Sequence, residues 1–302
     1  MGYLGKQNYL LTNRAVDLPH NYIGLDNPAI DVNPPVLNMT WLNTTSGEIF
    51  VCLNNSIGNN VWYSPGYGYI YNPSYYDPFI GESTVLLPFD GVDGGTTFTD
   101  YGTDPLGFTI VGTPHTSTDE SISYGSSIYF DGDGDYLSVN DVSKLNLSSF
   151  EDFCIDFWAY TLGWSADNIN TIITRRMNGT GGWEIYLRST GFTFAYWDNA
   201  GEYEGVTIST TLPLNGWSHF CVTYDSSIMV FKIYINGQLA LSALKNGHSI
   251  GNGALDASLG GTSAFTTRNH YGYISDFRII IGTRRFFGDF IPPTNARYLS
   301  AI

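Results

Sequence analysis

A chain of 302 residues is too long for one ordinary domain and fits two unequal parts, or one large β domain with an appendage. Its formal net charge of -15 at pH 7, with no sequence-local cluster of Lys or Arg, would repel a phosphate backbone and excludes nucleic acid as a partner. Gly, Tyr, Phe, Asn, Ser and Thr are abundant while Lys, Arg and Glu are scarce, so long amphipathic helices would lack their solvent face and the class is all-β.

From the N-terminus, GYLGKQNYLL has no apolar run long enough for a signal peptide or a membrane span, which predicts synthesis in a cytoplasm without general export and no membrane partner. Pro28, Pro34 and Pro35 suit extended chain. Thr40 to Leu42 and Glu48 to Leu53 alternate about Thr45, Ser46 and Gly47 as a β-hairpin, with VWYS from Val61 following. Residues 1–64 are therefore a small N-terminal β module. Residues 65–83, rich in Tyr, Gly and Pro, are a connector, either strapped to the following domain or serving as an assembly surface.

Residues 84–302 show short strands between Gly, Asp, Asn and Ser turns, without a helical period. Strands are predicted at Val85 to Phe89, Ser127 to Phe130, Tyr136 to Val139, Phe153 to Tyr160, Thr171 to Arg175, Trp183 to Arg188, Phe192 to Tyr196, Trp217 to Tyr224, Met229 to Ile235 and Tyr273 to Ile281. That is more than one sheet of a small domain usually holds, so two packed sheets follow. FCIDFWAY from Phe153 is apolar enough to be buried on both faces, and Asn236-Gly237 marks a tight hairpin.

Five segments in this order, LLPFDG from Leu86, SSIYFDGDGDYLSV from Ser126, FCIDFWAY, GWSHFCVTYD from Gly216 with KIYINGQLA, and GYISDFRIIIGTRRFFGDFIPPT from Gly272, resemble the laminin-G-like and concanavalin A-like lectin domains. The resemblance implies a jelly-roll β-sandwich of the kind common in bacterial surface proteins and bacteriophage virions. It also implies structural calcium in loops at one edge, for which Asp90, Asp100 and Asp276 are the matching acids. The run Asp131 to Asp135 reads instead as a plain Asp-Gly turn.

Sugar binding by such a domain needs aromatic faces. The candidates are Trp197, Tyr196, Trp164 and Trp183, with Tyr186 beside them; Trp197 stands out because polar turn residues surround it. Trp158 and Trp217 belong to strands expected in the core. Glucanases of this fold present paired carboxylates as Glu-x-Asp-x-x-Glu, and no such run occurs; Asp156 and Glu184 each lack an acidic neighbour two residues away. His20, His115, His219, His248 and His270 form no HExxH, and there is no GxSxG. A Cys221/His219 pair would share a strand face but sit in a core strand. Cys52, Cys154 and Cys221 are expected as buried free thiols.

These features predict a non-enzymatic bacteriophage virion protein, made in the host cytoplasm and exposed on the particle. Its N-terminal module would bind other virion proteins, and its sandwich would bind host-surface glycans or decorate the shell, as a homo-oligomer. A secreted carbohydrate-binding adhesin and a polysaccharide-degrading enzyme are the alternatives.

Overall fold

Strands form wherever β-branched and aromatic residues alternate between turn formers. The computed structural model describes residues 9–10, 21–24, 37, 39–43, 49–54, 61–64, 69–71, 80–148, 151–176, 181–245, 247–252, 256–290 and 292–293. The chain divides into two compact units: Met1–Phe79 with Arg285–Phe290 and Ala296–Ile302, and Ile80–Arg284 with Ile291–Asn295.

The first unit is a six-stranded sheet in chain order, β1 (Tyr9–Leu10), β2 (Asn21–Gly24), β3 (Thr40–Asn43), β4 (Ile49–Asn54), β5 (Val61–Ser64) and β6 (Tyr69–Tyr71). β2 and β3 run parallel, the other neighbours antiparallel. The expected hairpin is β3–β4, with Trp41 opposite Phe50; its turn, residues 44–48, lies outside the described residues, as do Pro28, Pro34 and Pro35. Trp41 and Trp62 are buried and meet edge to face at 6.4 Å. Within the segment read as a connector, Tyr69–Tyr71 is a strand of this sheet, and Ile80–Glu82 is a 3-10 turn.

The second unit is the expected all-β sandwich. Its strands are β7 (Ser83–Leu87), β8 (Phe108–Val111), β9 (His115–Ser117), β10 (Ser127–Asp131), β11 (Tyr136–Val139), β12 (Phe153–Gly163), β13 (Asn170–Arg175), β14 (Gly182–Arg188), β15 (Gly191–Trp197), β16 (Tyr203–Ser209), β17 (Trp217–Asp225), β18 (Val230–Ile235), β19 (Gln238–Leu244), β20 (Ser258–Leu259) and β21 (Tyr271–Ile281). The first, eight-stranded sheet has the order β19-β18-β17-β12-β21-β10-β9, with β7 beside the C-terminal half of β21. The second, seven-stranded sheet has the order β16-β15-β14-β13-β20-β11-β8. Strands β8, β9, β16 and β20 escape the sequence pattern because they are short or lie at sheet edges, where one buried face is not required.

The two inner faces meet in one aromatic core. Phe153, Phe194, Tyr224 and Phe231 form a cluster, and Phe192 stacks on Phe220 at 5.4 Å. Asn236 and Gly237 both take positive φ, 50° and 78°, as a type I′ hairpin turn between β18 and β19 demands. The Asp131 to Asp135 run is a tight turn as well: Asp133 N–H donates to Asp131 Oδ1 at 2.8 Å, and Asp131 N–H to Asp135 Oδ2 at 3.1 Å. All three cysteines are buried thiols outside any disulfide.

Phe153 to Ala159 are buried throughout, as the composition of that strand predicts, but only alternate residues enter the sandwich core. Cys154, Asp156 and Trp158 lie on the opposite face of β12, where Trp158 Nε1 donates to the Pro293 carbonyl at 2.8 Å. Trp217 lies on that outward face too and is half-buried. The expectation of both tryptophans in the core is corrected by one step of register.

His270 is wholly buried, edge-on to Phe130 at 6.3 Å, and burial pushes its imidazole from the ordinary 6.5 down to about 4. Unfolding therefore takes up a proton between those values, so this histidine makes stability fall as pH drops from 6.5 toward 4, by about 3 kcal/mol at most. Chemical denaturation of wild type and His270→Phe at pH 7 and pH 4.5 checks this. The wild type should lose more between the two pH values than the variant; equal losses would contradict it.

Candidate carbohydrate-binding face

Strands β14, β15 and β16 point Trp183, Ile185, Leu187, Phe192, Phe194, Tyr196, Val206 and Ile208 into the core. Period two then puts Glu184, Tyr186, Arg188, Thr193, Ala195, Trp197, Tyr203, Gly205 and Thr207 on the opposite face. Register arranges these in rows: Trp197 faces Tyr203, Glu184 faces Ala195 and then Gly205, and Tyr186 faces Thr193 and then Thr207. The middle row is small at its outer end. A Cβ on Gly205 would lie 2.2 Å from the Tyr203 hydroxyl, so the phenol folds across the glycine.

Tyr203 is 52% exposed, with its hydroxyl sheltered at that glycine and beside Tyr186. Burial of the hydroxyl, followed by Tyr186, pushes its pKa up to about 12, so it stays protonated. The Arg176 guanidinium lies 3.7 Å from the centre of the Trp197 ring, and its Nη1 is 3.7 Å from Glu184 Oε2. Arg268 covers Phe265 at 4.2 Å, and Arg188 covers Tyr186 at 4.9 Å. Burial raises the Glu184 carboxyl above its ordinary range, opposed by the charges of Arg176, Arg268 and Arg188. The fold thus gathers Arg176, Arg188 and Arg268 on aromatic rings, with Arg176 paired to Glu184 and Arg268 to Asp167, whose Oδ2 lies 3.3 Å from its Nε. The β15–β16 turn beside it is held by Asp198 Oδ1, which accepts from the amides of Ala200 and Glu202, both at 2.9 Å.

Of the residues predicted to meet sugar, Trp197 and Tyr186 lie on this side of the strands, but Arg176 covers one face of the indole, and Tyr186 is itself buried in a small cluster with Ile169 and Ala195. Trp183 and Tyr196 do not. Both are fully buried in the core, and Trp183 Nε1 donates to the Leu145 carbonyl at 2.8 Å, so neither ring can meet a sugar. Trp164, half-buried just beyond β12, packs against the same core. The correction was legible in GWEIYLR, where Trp, Ile and Leu alternate with Glu, Tyr and Arg. Arg176, Arg268 and Phe265 come from loops and carry no such signal.

The calcium acids fare differently. Asp100 is buried and accepts three backbone N–H groups at 2.8 Å, Leu86 and Gly102 on Oδ1 and Leu106 on Oδ2. Asp90 Oδ2 accepts the Tyr101 hydroxyl at 3.5 Å. Asp276 is buried at a bulge of β21, with a left-handed φ of 50°. Among the described residues no three His, Cys, Asp or Glu side chains converge to hold a metal, so these acids do not meet as a cluster of side chains. His219 and Cys221 do share a face, with His219 Nε2 3.5 Å from Asp156 Oδ2, but all three are fully buried and closed to substrate. Among the described residues no helix is long and apolar enough to cross a membrane.

The family model described as Laminin_G_3, concanavalin A-like lectin/glucanases superfamily, matches residues 131–284, about half of the chain. The chain belongs to this superfamily. A curated relative, the non-toxic nonhemagglutinin of Paraclostridium bifermentans, is 25% identical over 117 residues, covering 38% of this chain and 10% of that protein. Among solved structures, the binding domain of Paraclostridial Mosquitocidal Protein 1 is 18% identical with a TM-score of 0.54, over 68% of this chain and 50% of that one. The botulinum neurotoxin serotype G binding domain is 19% identical with a TM-score of 0.52, over 67% and 48%. A structure of botulinum neurotoxin type C, whose cell entry depends on interaction with two ganglioside molecules, is 18% identical with a TM-score of 0.50, over 68% and 49%. The chain spans about a tenth of the curated relative and about half of each solved domain; at these identities the structures establish the fold. The superfamily holds both lectins and glucanases, and the strand residues of the face described above include one carboxylate, Glu184.

Proposed function

We propose that the sandwich is a non-enzymatic carbohydrate-binding module that takes an acidic glycan on the outward face of β14, β15 and β16. The observation that carries this is the gathering of Arg176, Arg188 and Arg268 around one buried glutamate, each guanidinium laid on an aromatic ring, in a chain of net charge -15. Arginine held on a ring keeps its planar fork oriented for a carboxylate, and the exposed ring of Tyr203 offers an apolar surface to the sugar beside it. Binding instead of hydrolysis is supported by the surroundings of Glu184, which are cations and not the second carboxylate a glycosidase needs. The ganglioside dependence of botulinum neurotoxin type C shows the same class of ligand in a protein of related fold.

The test is calorimetric titration with sialyllactose. Arg176→Ala should weaken binding about tenfold or more, since a hydrogen bond to a charged group contributes roughly 1.5–3 kcal/mol, and Tyr203→Ala should weaken it by removing the apolar surface beside the sugar. Unchanged affinity in both variants, or release of reducing ends from polysaccharide by the wild type, would overturn the proposal.

For the setting we keep display on a virion through the N-terminal module, as the pairing of that module with the sandwich predicts. A surface or secreted binding module is the second reading, favoured by the clostridial relative. Detection of the chain in purified phage particles decides between them.

A further inference from the structure

The outward face of the first sheet carries a feature that the acidic-glycan site does not use. His115 of β9, Tyr129 of β10, Tyr273 of β21, Tyr160 of β12 and Trp217 of β17 stand directly opposite one another in register. They make one row of rings across five adjacent strands, with successive centroids 5.3, 5.0, 5.7 and 5.5 Å apart. At about 4.8 Å per strand the row is about 19 Å long. The sandwich core does not require it, because the core is built by residues of the opposite parity, such as Ile128, Ile274, Ala159 and Phe220.

The surroundings of this row differ from those of the other face. His115, Tyr129, Tyr160 and Trp217 are half-buried, and Tyr273 at the centre of the row is buried, 8% exposed. Tyr271, two residues before Tyr273 and so on the same face, is 38% exposed. It lies so close to Gly132 and Gly163 that a Cβ on either would come within 2.8 or 3.0 Å of it. Glu120 acts on Tyr160, Asp119 and Glu120 act on Tyr273, and Asp131 acts on Tyr129. Burial first, and neighbouring phenols and these carboxylates after it, raise the three phenols, so the row presents protonated hydroxyls beside carboxyl groups.

We propose that this row is a second binding platform, for an extended uncharged oligosaccharide lying across the strands. Ring edges and faces match the apolar faces of successive pyranose units, and the carboxylates accept their hydroxyls. The same carboxylates repel an acidic chain, so the two faces select opposite ligands. A row that crosses five strands also selects for length.

Calorimetry on the full chain with cellohexaose, laminarihexaose and N-acetylchitohexaose, each against its disaccharide, tests this. At least one hexamer should bind at least tenfold more tightly than its disaccharide. Trp217→Ala should weaken that hexamer tenfold or more, whereas Arg176→Ala should leave it unchanged. Tyr129→Leu, at the other side of the row, serves if the tryptophan variant does not fold. Absence of binding by all three hexamers, affinity independent of length, or loss on Arg176→Ala with none on the row variants would overturn the platform. The Arg176 arm keeps its failure distinct from failure of the acidic-glycan site, which sialyllactose reports separately.

Discussion

Asp100→Ala is expected to lower the stability of the sandwich by several kcal/mol, on the order of 4, as read by chemical denaturation. The carboxylate accepts from three buried amides, those of Leu86, Gly102 and Leu106. Removing it leaves three backbone donors away from water, each costing roughly 1–3 kcal/mol. Asp100→Asn should cost about half as much, because one amide oxygen can keep the two bonds made by Oδ1 while the new NH2 group opposes the Leu106 N–H. Burial raises this carboxyl and the three amide bonds oppose that rise, the pattern of an acid held by the backbone. The loss on Asp100→Ala should therefore be the same in chelator as in millimolar calcium. A loss present only with calcium would restore Asp100 as a ligand.

Trp183→Ala should cost about 3–5 kcal/mol, with the Leu145 carbonyl losing its donor in addition to the cavity created. Trp197→Ala, one strand away, should cost far less, since that ring is half-buried and packs on Arg176 and Tyr203. Paired melts of the two variants separate these roles. If Trp183→Ala melted like the wild type and lost only glycan affinity, the tryptophan would be a sugar ligand and the inward register of β14 would be wrong.

How far the sequence reveals these roles depends on how local their cause is. Asn236-Gly237 determines its hairpin because two positive φ angles in succession suit few other pairs. The aromatic core follows from alternation within single strands, as in FTF from Phe192 and HFCVTY from His219. Asp100 shows no such signature, because its partners on β7 and in the following loop are fixed by the fold and not by spacing. Resemblance placed it among calcium acids, whereas backbone geometry gives it a structural task.

The binding face shows the same division. Trp197 and Tyr186 were legible as candidates, but Tyr203 sits in YEGVTIS, whose weak pattern reflects an edge strand with one exposed face. Arg176 and Arg268 meet at Phe265 only after folding, at 5.4 and 4.2 Å. No charge cluster exists in the sequence, yet one exists on the surface. The aromatic row of the first sheet is equally non-local, since it takes one residue from each of five strands.

The most direct measurement of the central claim is a backbone amide chemical-shift map of the isotopically labelled chain titrated with sialyllactose. Saturable shifts should concentrate on Glu184, Tyr186, Thr193, Ala195, Trp197 and Tyr203, with the amides of Tyr129, Tyr160 and Tyr273 unmoved. Shifts confined to any other surface, or none at saturating ligand, would contradict a glycan site on β14, β15 and β16.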